Sequence, residues 1–549
     1  MSTNGVHEAL ELCIYRIPFS GPTAEVPPKE IVGSKAHNLM RMAACGLPVP
    51  PGFVIGTQIC RNYLCRGREA LVGLPEVLEG ELERLGAHNG RQLGDARRPL
   101  LVSVRSGAPI SMPGMMETIL NVGLNATTRQ GLIRMTGNPR LAADCHVRFV
   151  KQFGEVVCGV PLANFIDYQQ KFLETLELES LDDLDTAELK RLGRLLEDTL
   201  ATKWGHRLPS DPLQQTTAAV EAVLRSWSSE RATVYRKLNG IPQDIGTAVT
   251  IQAMVFGNLG PTSGAGVGFT RNPATGANEL YVDYLANAQG EDVVAGRLRA
   301  MGLDEFQHRA LTAYRELIDA RGKLEHEFAD MQDFEFTVEE GRLIMLQTRS
   351  GKRTPLAALR IAHDLVQERL ITPDVALDRL RNIEIDAVEL FSFRKDERQP
   401  PLIRGISAGT GVAVGVAVFD PARATVLHQS GTPAILVRES AETGDIEALA
   451  KSVALVTVQG ARTSHAAVVA RQLGKPCVVG CRDLVIDPTG RSARIGDSEI
   501  AEGEMLSLDG DNGVVYRGAL EVIRSRPTEL IERIHSWCSH SASAHKATT

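Results

Sequence analysis

VQGARTSHAAVVARQLGKPCVVGC, residues 458–481, hands a strand over to a helix with a histidine at the junction. Leu455-Val456-Thr457-Val458 is an apolar run of the kind that forms a buried strand, and Gly460 supplies the turn that ends it. Thr463 is a suitable N-cap, which places His465 in the first helical turn. Ala466, Val469, Ala470 and Leu473 recur at helical spacing and predict the buried face, and Gly474 with Pro476 predicts its end. A helix start offers unpaired N–H groups and a positive dipole end, which suits a phosphoryl group. The same dipole disfavours imidazolium, so His465 is expected to stay neutral and nucleophilic near neutral pH. A histidine merely packed at a helix start satisfies the same pattern.

TSHAAVVAR followed by GKPCV resembles the phosphohistidine segment of the pyruvate, phosphate dikinase and phosphoenolpyruvate synthase family. In that family the matching histidine carries phosphate from ATP towards a keto acid. Ala461 and Arg462 stand where dikinases usually read Gly-Met; Arg462 is closer to the synthase pattern and Ser464 to the dikinase pattern.

The chain has 549 residues, more than one hydrophobic core usually serves, so two to four domains are expected. Its 43% apolar and 23% charged residues fit an ordinary globular protein. A net charge of −7 gives no reason to expect nucleic acid or an anionic membrane as partner. Nine cysteines show no CxxC pair and no zinc spacing, which fits free thiols in a reducing cytosol. The polar start MSTNGVHEALE lacks the regions of a secretory signal, and the longest apolar run, Val412 to Phe419, is too short to span a bilayer. A cytoplasmic protein with no membrane partner is the expectation.

The fold class expected is α/β multidomain. Residues 1–354 alternate short strand-like runs with helices and Gly-rich turns, after a Pro-containing lead-in of about thirty residues. Within them Asp185 and Glu188 form a capping-box-like start, and Leu189, Leu192, Leu195, Leu196 and Leu200 mark one helical face. Residues 355–404 are helical and charged, ending in a polar linker from Arg394 to Pro401. Residues 405–518 form a second unit that contains His465. Residues 519–549 suggest one short helix and a disordered Ser/Ala/His-rich tail.

In the first segment, Gly33 to Leu39 joins a turn to a helix and carries Lys35, although a lysine near glycine is commonly a solvated residue. Leu100 to Val104 reads as a strand delivering Arg105 into Ser106-Gly107-Ala108, with the methionine-rich SMPGMMET (Ser111 to Thr118) behind it. Arg105 there could be a phosphate clamp or a structural arginine. Further on, Phe334, Phe336 and Val338 alternate with Asp333, Glu335 and Thr337, as in a half-buried strand. Glu339-Glu340-Gly341 turns the chain, and Leu343 to Thr348 returns. Folding about Gly341 pairs Glu335 with Gln347 and Asp333 with Arg349 on one face. A carboxylate beside an amide oxygen suits Mg²⁺, and Arg349 could hold the phosphate that moves. A surface hairpin with one salt bridge is the alternative, and a slip of one residue would scatter the set.

These stretches resemble the same family. SVRSGAPISMPGMMETILNVGLN, QAMVFGN, SGAGVGFTRNPATG, NAQGEDVVAG and DFEFTVEEGRLIMLQTRSGKRT are similar to its ATP-grasp nucleotide-binding domain. The resemblance implies an ATP-grasp domain followed by a swivelling β/α phosphohistidine domain. It implies that Lys35, Arg105 and Arg349 contact ATP phosphates, that Glu335 and Gln347 hold Mg²⁺, and that Asp333 supports them. Ser111, Met112 and Gly114 would belong to a loop closing over the phosphates. Ala36 replaces a usual glycine, and Asp283 stands where glutamate is common. Full-length members continue into a barrel that binds pyruvate and phosphoenolpyruvate, of about 250 residues; too little sequence follows Gly518 to hold one, so a separate acceptor-binding subunit is expected.

The reaction implied is a half-reaction. The His465 imidazole attacks the β-phosphorus of ATP and AMP leaves. The terminal phosphate then passes to inorganic phosphate or to water, and the β-phosphate stays on His465. Thr463 would orient the imidazole or the phosphate, or serve only as N-cap. A regulatory phosphocarrier and a nucleotide-sensing module are the alternatives; retention of both the phosphate clamp and His465 speaks against the second.

Overall fold

The computed structural model describes residues 13–17, 25–110, 112, 116–178, 180–295, 301–394, 400–440, 445–460, 465–487 and 490–546. The side chains of Val294, Ala295, His465, Ala466, Val468, Gln472 and residues 538–546 fall outside that description. Two compact units result, residues 1–260 with 344–347 and residues 261–343 with 348–549.

The first unit is built on a five-stranded sheet. Its strands are β1 (Ile14–Ile17), β2 (Gly52–Ile55), β3 (Val102–Gly107), β4 (Thr118–Val122) and β5 (Ala248–Ala253), in the order β1-β2-β5-β3-β4. Every side chain of β2 and β5 is buried, as expected of strands covered on both faces. Helix α1 (Lys29–Ala44) packs along this sheet and is interrupted at Gly33. A helical part follows, in which α2 (Pro139–Val156) packs against α3 (Thr186–Thr202). The expected capping box of α3 is present: Asp185 accepts from the Glu188 N–H, and Glu188 accepts from the Asp185 N–H. Leu189, Leu192, Leu196 and Leu200 are buried. Leu195 is exposed, because five leucines within three turns span more arc than one face can cover.

The second unit begins with a four-stranded sheet of β6 (Gly264–Phe269), β7 (Tyr281–Ala286), β8 (Gln332–Glu339) and β9 (Arg342–Ser350), ordered β9-β8-β6-β7. Phe334, Phe336 and Val338 are buried as their alternation predicts. The β8–β9 turn is Glu340-Gly341, both with positive φ, which matches the right-handed twist of a hairpin. Helices α4 (Pro355–Gln367) and α5 (Pro373–Leu380) follow, then β10 (Leu390–Phe393).

An eight-stranded sheet completes the unit. Its strands are β11 (Ile403–Arg404), β12 (Ile406–Gly409), β13 (Val412–Val418), β14 (Ala434–Arg438), β15 (Ala454–Thr457), β16 (Cys477–Val479), β17 (Met505–Asp509) and β18 (Val514–Arg517). The order is β11-β18-β17-β13-β14-β15-β16-β12, parallel from β13 to β16 and antiparallel outside. Helix α6 (His465–Gln472) is the crossover between β15 and β16.

The end of the chain departs from expectation. Strand β19 (Val522–Ser525) pairs with β10, and helix α7 runs from Thr528 to Lys546 instead of forming a short helix and a loose tail. Ile531 and Ile534 are buried among Leu359, Ala362, Ala376 and Leu380, so the first turns of α7 are held by packing on α4 and α5. Among the described residues no helix is long and apolar enough to cross a membrane, and all eight described cysteines are free thiols.

Candidate functional site

In the first unit the glycine at the break in α1 does the positioning. Gly33 has φ 78° and ψ 158°, a region open essentially to glycine. A Cβ there would overlap the Gly107 carbonyl oxygen, so α1 reaches β3 only because Gly33 has none. Ser34 then anchors the restarted helix: its N–H and hydroxyl both donate to the Ala108 carbonyl, at 3.0 and 2.9 Å. Lys35 is thereby set against Gly107, with its Cβ 3.9 Å from where a Gly107 Cβ would stand.

Arg105 lies inside β3, two residues before its end, and not at a strand terminus as expected. Its cross-strand neighbours are Thr118 on β4 and Thr250 on β5. The Arg105 Nε is buried and has no hydrogen-bond partner among the described residues. A buried, unpaired guanidinium nitrogen costs free energy unless a ligand fills the position, which fits a phosphate. Met112 is buried against the core of this unit. Ser111 and Gly114, expected in the same loop, lie outside the described residues.

In the second unit, the register of β8 is fixed against β6 and that of β6 against β7. Asp333 pairs with Phe269 and Glu335 with Val267; in turn Phe269 pairs with Tyr281 and Val267 with Asp283. Directly opposed residues share a face, so Asp333, Glu335 and Asp283 stand on one side of the sheet. Arg349 of β9 donates from Nε to the Asp333 carboxylate at 2.7 Å, the cross-strand pair predicted from the hairpin. Burial pushes the Asp333 carboxyl above its usual range, and Arg349 offsets only part of that. Burial works against the Arg349 charge as well, but Asp333 more than compensates and holds it up. Lys352, which the sequence reading passed over, adds a second cation: burial and then Arg349 hold its ammonium low, while Asp333 opposes them. Gln347 is buried and belongs to the four residues of β9 that group with the first unit.

The Asp333 and Glu335 carboxylates on this face are hard oxygen donors, the kind that fit Mg²⁺. Among the described residues no group of three His, Cys, Asp or Glu side chains could hold a metal alone.

His465 opens α6, an eight-residue helix, and so sits in its first turn as predicted. Thr463 lies outside the described residues. Among the described side chains of α6, Ala467, Ala470 and Arg471 are buried and Val469 is half-buried, whereas Leu473 is 39% exposed. Of the predicted face, Val469 and Ala470 pack on the core, Ala466 lies outside the described side chains, and Leu473 departs from it, lying past the helix end at Gln472 and next to Gly474 with φ 64°. Arg471, also not singled out, donates to the Ala408 carbonyl and lies over the Phe269 ring at 5.7 Å. Tyr281 Oη donates to the Ser407 carbonyl at 3.0 Å, so β6 and β7 touch the sheet that carries His465. Beside these contacts is a cavity of about 830 Å³ whose lining includes Asp283, Arg404, Gly460 and Arg482.

Residues 70–313 match the family description "Pyruvate phosphate dikinase, AMP/ATP-binding domain", and residues 431–513 match "PEP-utilising enzyme, mobile domain". Arg105 and Asp283 fall in the first match and His465 in the second. The chain is 41% identical over 512 residues to pyruvate, phosphate dikinase of Clostridium symbiosum, covering 93% of this chain and 59% of that protein. It is 42% identical over 512 residues to the chloroplastic pyruvate, phosphate dikinase 1 of Arabidopsis thaliana, covering 93% and 53%. With the chloroplastic enzyme of Zea mays it shares 43% over 494 residues, covering 89% and 52%. The chain thus spans between half and three-fifths of the length of these relatives. With an AMP/ATP-binding domain followed by a mobile domain that bears a histidine at a helix start, this chain carries two domains of the pyruvate, phosphate dikinase family.

Proposed function

We propose that this chain is an ATP-dependent phosphotransferase that carries out the nucleotide half of a dikinase-like reaction. The observation that carries the reading is the pairing, in one chain, of the Lys35–Arg105 cradle with a histidine at the start of a strand-to-helix crossover. Lys35, Arg105 and Arg349 bind the triphosphate, with Ser111, Met112 and Gly114 in the loop beside it. Glu335 and Gln347, supported by Asp333, would hold Mg²⁺, which would supply positive charge to neutralise phosphate oxygens. His465 attacks the β-phosphorus with its imidazole lone pair, and the bond to the α-phosphate oxygen breaks as AMP leaves. Thr463 orients the ring or the phosphate. Terminal phosphate then goes to inorganic phosphate, giving pyrophosphate, or to water, giving phosphate. Most of the acceleration comes from positioning and charge neutralisation.

The β-phosphate left on His465 passes to pyruvate or another small acceptor bound outside the two matched domains, on a separate subunit in this proposal. Residues 1–354 form the nucleotide part and 405–518 the swivelling part, with 355–404 as the connection. The free thiols fit a reducing compartment, and the cytoplasm is proposed.

The test is incubation of the purified chain with Mg²⁺ and ATP labelled at the β or the γ position, with and without phosphate, beside His465→Ala. Acid-labile β-label on the protein and release of AMP, both absent in the variant, are expected. Phosphate-dependent pyrophosphate would identify dikinase stoichiometry. ATP binding without label or AMP overturns the half-reaction, and transfer of label to a protein in place of pyruvate would make the chain a regulatory phosphocarrier.

A further inference from the structure

Thr250 is 2% exposed, and its hydroxyl has no hydrogen-bond partner among the described residues. It stands directly across from Arg105, whose Nε is likewise buried and unpartnered. Opposed residues of a sheet project from the same face, so the two unpaired groups face one space. The position of that space is given by Gly107: a Cβ built on Gly107 would stand 3.9 Å from both the Thr250 Oγ1 and the Lys35 Cβ. One buried polar atom without a partner costs free energy, and two side by side demand a common explanation. The hydroxyl donates a proton, as does the guanidinium Nε–H, and both convergent donors suit an anionic oxygen.

We infer that Thr250 is a further ligand-binding residue, whose hydroxyl donates, together with the Arg105 Nε–H, to a phosphoryl oxygen of the bound nucleotide. The inference rests on the proposal that ATP binds this unit. It goes further by assigning a contact to strand β5, which neither the motif reading nor the charge pattern marks. The contact is neutral in the empty protein and charge-assisted in the complex, so the hydroxyl costs stability before binding and returns affinity on binding.

The test is Thr250→Val, which keeps the branched shape and removes the hydroxyl, beside Thr250→Ser, which keeps the hydroxyl. Binding of Mg·ATP, of inorganic phosphate and of pyrophosphate is measured by calorimetry on the full chain, and the melting temperature is recorded without ligand. Thr250→Val is expected to bind ATP about 10- to 100-fold more weakly, the loss of one hydrogen bond to a charged group. Thr250→Ser is expected to stay within about threefold of the wild type. The ligand-free melting temperature of Thr250→Val is expected to be unchanged or raised, because an unpaired buried group is gone. A lowered melting temperature with unchanged ATP affinity would show a structural hydroxyl satisfied by water and overturn the inference. Weakened phosphate or pyrophosphate binding with unchanged ATP affinity would overturn the nucleotide assignment. If Thr250→Val lowers both readouts, the serine variant decides: wild-type affinity there supports the contact, and loss there overturns it. Wild-type protein that binds no ATP would sink the nucleotide proposal itself, an outcome separate from all of these.

Discussion

Gly33 shows how much of the cradle depends on the absence of one atom. Its φ of 78° with ψ of 158° and its approach to the Gly107 carbonyl exclude any side chain. Gly33→Ala therefore combines backbone strain of about 1–3 kcal/mol with a forced separation of α1 from β3. The expected outcome is a lower denaturation midpoint for the nucleotide part and ATP binding weakened by about tenfold or more. Calorimetry and a urea titration would check both, and a variant that matches the wild type in each would show that α1 can retreat without consequence. The motif around Lys35 was legible as a turn running into a helix. That the glycine's task is to admit a carbonyl from a strand more than seventy residues away was not, because nothing local records which backbone will arrive.

Elements set the electrostatics. At the end of the β8–β9 hairpin, Asp330 accepts from both terminal nitrogens of Arg353 at 2.7 Å and from Ser350 at 2.6 Å, and Arg379 of α5 lies 3.6 Å away. Burial alone would push the Asp330 carboxyl up, but Arg353, Ser350 and Arg379 together outweigh it and hold it below the usual range. A carboxyl depressed by folding contributes stability that is present above its unfolded pKa, about 3.9, and is lost as pH falls through the folded value. Both partners are mostly covered, with 13% and 15% of their side chains exposed. Asp330→Asn is expected to cost roughly 3–5 kcal/mol at pH 7, the range for breaking a buried pair. The gap between variant and wild type should shrink as pH drops below about 4. Denaturation at pH 7 and pH 3.5 would test this, and a gap that stays constant across that range would refute the linkage. The hairpin itself was legible from its period-two alternation and its Gly341 turn. Its ion pairing with α5 was not, since sequence spacing says nothing about which helix packs at a strand's end.

At the scale of the whole molecule, the thiols report on the packing of both units. Cys65 is exposed, whereas Cys60, Cys145, Cys477 and Cys481 are buried. Burial pushes the Cys60 thiol to about 11 and those of Cys477 and Cys481 to about 12, and raises Cys145 as well. Thiolate is the reactive form, so in a Cys538→Ser background at pH 8 a disulfide reagent is expected to modify Cys65 fast and those four only on unfolding. Peptide mapping would check it; rapid labelling of Cys477 or Cys481 in the native protein would contradict the buried core around α6.

The sequence alone determined the histidine at the helix start, the hairpin with its Asp333–Arg349 rung, the capped helix α3 and the family, because each is written in local spacing and turn chemistry. Only the tertiary structure decided that Arg105 faces Thr250 inside a sheet, that Arg471 rather than Leu473 turns inward, and that the last helix packs on α4 and α5. Those outcomes depend on which surfaces meet across long stretches of chain, and burial of shared apolar area selects among arrangements that local propensity leaves equal.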